Sequence, residues 1–141
     1  MTSVQGGPGW QLQSAPDIGI VVRDIDVMLR FYRDVIGLPY LRKMQVPNGV
    51  LHVLGLGSQV FKLSVPDTPP ATRHATGGIH ASTGLRYWTA TVTGLDALLE
   101  ICLAGGATTA EGVQDAGNGI RYVVIADPEG NCFELIERRE A

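Results

Sequence analysis

The stretch VVRDIDVMLRFYRDVIGLPY, residues 21–40, decides the fold because it occurs twice in outline. An apolar run, Ile18–Val22, leads into it and reads as a buried strand. Asp24 is placed to cap a helix over 25–36. Ile25, Met28, Leu29, Tyr32, Val35 and Ile36 recur at the spacing of one helical face. Gly37 suits the left-handed residue after a helix, and Pro39 forbids continuation. Three strands are predicted next, at about 40–46, 50–56 and 59–65, with GLGS (55–58) turning between the last two.

The pattern then restarts. Val22-Arg-Asp-Ile-Asp26 corresponds to Val92-Thr-Gly-Leu-Asp96. YWTATV (87–92) reads as a strand. Leu95, Leu98, Leu99, Cys102 and Leu103 form a helical face that Gly105-Gly106 ends. Strands are expected at about 107–113, 120–126 and 132–137, with DPEGN (127–131) as the last turn. Such a duplication predicts an α+β fold of two βαβββ modules in tandem, their sheets curling into a cup. Residues 1–14, Gly-rich and without periodicity, read as a flexible N-terminal arm. The single domain is expected over 15–141, with module one at about 15–66, a linker at 67–84 and module two at about 85–138. The linker's three glycines, His74 and His80 read as an exposed connection, with a lid over the cup as the alternative.

Composition narrows the class. With a net charge of −3 and no basic stripe, nucleic acid is not an expected partner. No apolar run approaches the ~20 residues of a membrane span, and the start lacks a secretion-signal pattern, so a cytoplasmic protein is expected. Cys102 and Cys132 lie in apolar segments without CxxC spacing and read as small core residues.

Strand alternation sorts the faces. Ile18, Ile20 and Val22, Phe61, Leu63 and Val65, Trp88, Ala90 and Val92, and Phe133 with Leu135 form apolar sets for the helix side. The opposite sets carry Asp17, Lys62, Tyr87 and Glu134, one polar group near the end of each first and last strand. Thr89, Thr91 and Ser64 share those faces and read as substrate-binding positions. A 55–58 turn would put His52 across from Lys62, adding a fifth polar group.

VVRDIDVMLRFYRDVIGLPY, VTGLDALLEICLAGGA (92–107) and ADPEGNCFELIE (126–137) together resemble the vicinal oxygen chelate superfamily of glyoxalases, bleomycin-resistance proteins and dioxygenases. The resemblance implies a small-molecule ligand, a homodimer, and metal-ligand positions that fall on Asp17, Lys62, Tyr87 and Glu134. Of these, only Glu134 matches the family's usual His or Glu. Lys62 brings a positive charge where a metal's charge would sit, and Tyr87 is a poor ligand for divalent ions. The expectation is therefore an enzyme without a cofactor, a lyase or isomerase using these four residues for acid–base chemistry. Two alternatives stand beside it: a protein that sequesters an antibiotic or metabolite, and a divalent-metal glyoxalase or dioxygenase using Asp17 and Glu134.

Overall fold

The computed structural model describes residues 5–139. Part of the arm expected to be loose is ordered: β1 (Gly6–Gly7) and β2 (Trp10–Gln11) pair in a small exposed hairpin. Module one follows as β3 (Ile18–Val21), helix α1 (Ile25–Leu29), a π-wound continuation (Arg30–Ile36), β4 (Tyr40–Val46), β5 (Gly49–Leu56) and β6 (Gln59–Pro66). Module two repeats it as β7 (Tyr87–Thr91), α2 (Leu95–Ala104), β8 (Gln114–Gly117), β9 (Ile120–Ala126) and β10 (Cys132–Arg138). Each module is a four-stranded sheet, ordered β3-β6-β5-β4 and β7-β10-β9-β8, whose first and last strands pair in parallel.

Two differences from the sequence reading have local causes. The strand expected at 107–113 lies at Gln114–Gly117 instead. Gly112 adopts a left-handed φ of 72°, which interrupts an extended run, and Thr109 holds the segment by donating its hydroxyl to the Val124 carbonyl. The helix over 25–36 changes winding midway. Gly37 N–H donates to the Tyr32 carbonyl five residues back, the bond of a widened turn, and Leu38 N–H closes the helix end on the same carbonyl across the left-handed Gly37. This rotation buries Phe31 beside Tyr32, whereas ordinary helical spacing puts only Tyr32 on the inner face.

One apolar core joins the modules. Tyr32 packs on Phe61 (ring centroids 4.6 Å), Phe61 on Trp88 (5.5 Å), and Trp88 stacks on Phe133 (4.9 Å). The helix-side sets from alternation all contribute to it, so both opposite faces are turned away from the core. Helix ends meet where Val35 abuts Gly105. A Cβ at 105 would land inside the Val35 side chain, so Gly105→Ala is expected to cost about 1–3 kcal/mol in urea unfolding. An unchanged midpoint would contradict this contact.

A polar tie crosses the same boundary. The DPEGN stretch is more than a turn. Asp127, only 4% exposed, accepts the Tyr32 hydroxyl at 2.7 Å and the backbone N–H groups of Glu129 and Asn131, each at 2.9 Å. The Glu129 carboxylate accepts the N–H groups of Arg23 and Asp24, so module two caps the first helix of module one.

Burial, reinforced by Asp127, holds the Tyr32 phenol well above its ordinary value of 10.0. A phenol kept protonated in the fold but free to ionise when unfolded adds stability below about pH 10 that is lost as pH rises further. Tyr32→Phe is expected to flatten the fall in thermal midpoint above that pH. Equal slopes in the two proteins would refute the assignment.

Candidate functional site

The parallel ladders position the site. In module two, Glu134 lies directly across from Thr89, whose hydroxyl donates to the Glu134 carboxylate at 3.0 Å. Tyr87 lies across from Cys132, and Thr91 across from Ile136, on the same face. The equivalent pair in module one is Gly19 and Lys62, with Ser64 across from Val21. Lys62 makes no salt bridge or side-chain hydrogen bond with another of the described residues. Asp17 stands just before β3, where its carboxylate accepts the Val60 N–H at 3.0 Å and the Gln59 side-chain amide at 3.3 Å. That pairing fastens the entry of β3 to β6.

His52 does not neighbour Lys62. The turn is the two-residue Gly57-Ser58, so Leu56 pairs with Gln59, His52 with Leu63, and Val53 with Lys62. A one-residue change of register moves a side chain to the other face of a sheet. His52 therefore sits on the helix side of module one, with Nδ1 2.8 Å from the Tyr40 hydroxyl. Burial, with Lys43 and Arg33 nearby, draws its imidazole below the usual range.

Two cavities adjoin the open face of module two. The first, about 740 Å³, has Tyr122, Val124, Ala126 and Cys132 as its floor, the segment 108–112 as a wall, and linker residues 76–80 above. Glu134 adjoins this floor, being the ladder partner of Val124 and two residues along the same face from Cys132. The second, about 580 Å³, lies between the free edges of β3 and β7 and includes Asp17 and Tyr87 in its lining. Neither cavity has Lys62 or Glu134 in its wall.

The linker is a fixed part of this site. Arg86 donates to the carbonyls of Ala75, Gly78 and Ile79, and the His74 ring has Nδ1 3.1 Å from the Ala75 carbonyl and Nε2 3.2 Å from the Glu129 carbonyl. Cys132 is buried, as its apolar segment suggests, and on the Glu134 face it also lines both cavities. Burial pushes its thiol up against the opposing pull of Arg86, while buried Cys102 is pushed up to about 11.

Of the four positions that the resemblance assigns to metal ligands, two do not suit a divalent ion, Lys62 for its ammonium donors and Tyr87 for its phenol, and one Asp17 oxygen is taken by amide donors. Among the described residues, no three His, Cys, Asp or Glu side chains group closely enough to hold an ion.

Paired βαβββ modules of this kind here leave two cavities of a size that a small molecule could fill. A family model for the Glyoxalase/Bleomycin resistance protein/Dioxygenase superfamily matches residues 15–135, and the chain belongs to that superfamily. It is 29% identical over 120 residues to lactoylglutathione lyase GLX1 of Arabidopsis thaliana, covering 83% of this chain and 41% of that protein's length. The chain thus spans less than half of that relative. A glyoxalase family protein from Bacillus cereus superposes with a TM-score of 0.83 at 21% identity, over 96% of this chain and 100% of that one. The fosfomycin resistance protein FosX from Listeria monocytogenes superposes with a TM-score of 0.62 at 11% identity, over 91% and 93%. No helix among the described residues is long and apolar enough to cross a membrane.

Proposed function

We propose that this chain is an acid–base enzyme of lyase or isomerase type acting on a small oxygenated metabolite, with Glu134 as its proton-transfer group. The observation that carries the reading is the placement of Glu134. It falls where the resemblance expects a His or Glu, is bonded by Thr89 and adjoins the 740 Å³ cavity. The hydroxyl bond engages one carboxylate oxygen and leaves the other open for a substrate proton. Lys62 supplies positive charge for a developing oxyanion in the role a metal would otherwise take. Tyr87 donates a hydrogen bond, and Thr91 and Ser64 contact substrate.

The lyase activity named for the Arabidopsis relative supports the reaction class. A homodimer belongs to the same reading. Val21, Tyr87 and Met44, each 39–55% exposed, lie on the open sheet faces, and Lys62 and Glu134 share no cavity wall within one chain.

The test is a screen of 2-oxo acids, 2-hydroxy acids and aldehydes for protection against heat unfolding, followed by chemical recovery of each protecting compound. A protecting compound should return as product, and Glu134→Gln should keep the protection while losing the conversion. Protection with unchanged compound from the wild-type protein would favour sequestration instead.

A further inference from the structure

The 580 Å³ cavity between β3 and β7 has Tyr87 of the proposed reaction in its wall, and beside it a set of groups that the reaction does not use. Its apolar side is Ile18, Ile20, Leu85 and Trp88. Its polar side carries three guanidinium groups, Arg23, Arg73 and Arg86, against two carboxylates, Asp17 and Glu129, with the His74 ring beside them. In a chain of net charge −3 with 11 lysines and arginines, three arginines in one cavity wall are a concentration.

The two acids in that wall make backbone bonds, Asp17 through one carboxylate oxygen and Glu129 through both. Asp17 accepts the Val60 N–H, and Glu129 accepts the N–H groups of Arg23 and Asp24. Neither is paired with a guanidinium among the described residues. The arginines differ in how much they have left to give. Arg86 is held by the carbonyls of Ala75, Gly78 and Ile79, and Arg23 gives one bond to the Pro70 carbonyl. Arg73 makes no hydrogen bond to another described residue, so its fork of donors is available. Linker bonds from Arg86 and His74 fix the backbone on either side of the cavity mouth.

We propose that this second cavity binds an amphipathic organic anion. Its carboxylate or phosphate is held by Arg73, with Arg23 and Arg86 contributing charge, and its apolar body lies along Ile20, Leu85 and Trp88. An oxyanion matches the planar donor fork of arginine in two-point contact, and the aliphatic and aromatic side opposite suits a hydrocarbon chain or ring. The cavity shares Thr76, Gly130 and Cys132 with the one beside Glu134. An occupant would therefore lie against the proposed reaction site and touch its Tyr87 edge while leaving the floor beside Glu134 open.

Octanoate, octyl phosphate and 1-octanol, titrated by isothermal calorimetry into the full chain, test the idea. The two anions should bind at least tenfold more tightly than the alcohol, and the difference should shrink as salt is raised. Arg73→Ala should weaken the anions on the order of tenfold or more and leave octanol unchanged, at an unchanged thermal midpoint. A ratio of octyl phosphate to octanoate affinity well above one marks a phosphate site, and a ratio below one a carboxylate site. Glu134→Gln should leave all three titrations unaltered, so failure here is separable from failure of the acid–base reading. Equal binding of anions and alcohol, no binding at millimolar concentrations, or anion affinity untouched by Arg73→Ala would each overturn the proposal.

Discussion

Asp127→Ala should lower the unfolding free energy by about 3–5 kcal/mol, the largest stability effect expected of any single change in this chain. The carboxylate is buried and accepts bonds from the Tyr32 hydroxyl, the Asn131 side chain and the N–H groups of Glu129 and Asn131. Alanine would leave these donors buried without an acceptor, and each would bear its own desolvation penalty. Burial raises the Asp127 carboxyl above its ordinary value, although the bonds from Tyr32, Asn131 and Glu129 oppose that rise. Asp127→Asn keeps some acceptors and should cost clearly less than alanine. Since the tie spans both modules, the loss should appear as one cooperative transition shifted to lower urea. Two separate transitions, or a cost near that of a surface substitution, would show that the DPEGN stretch is only a turn.

Glu134→Gln should reduce turnover by about 10²–10⁴-fold, or about 3–5 kcal/mol in the barrier. The amide keeps the size of the side chain and can still meet Thr89, so packing and ligand protection should survive. The loss belongs in kcat rather than KM, because a proton acceptor acts in the transition state. Thr89→Val removes the orienting bond alone and should cost on the order of tenfold. A Glu134→Gln protein of full activity would transfer the chemistry to another residue.

The repeat made the architecture legible, and alternation made the faces legible. Both depend on periodicities that the chain carries locally. Three features were hidden for physical reasons. His52 went to the wrong face because turn length sets register, and GLGS admits more than one turn. Phe31 falls off the inner face at ordinary helical spacing, while in the π-wound segment it is buried with its ring 6.5 Å from that of Phe133 in the second module. The ties from Asp127 and Glu129 join residues about a hundred positions apart, and nothing in a single sequence registers that contact. The four polar positions lie where alternation put them relative to the core, yet Asp17 is occupied by the Val60 N–H, a bond visible only once β6 is beside it.

The most direct test of the acid–base claim is solvent exchange. Any compound that protects the wild-type protein from heat is incubated with it in D2O, and the proton next to its carbonyl is followed by NMR. The account predicts loss of that proton signal with wild-type protein and its persistence with Glu134→Gln. Persistence with both proteins, or equal loss with both, would contradict Glu134 as the group that moves the proton.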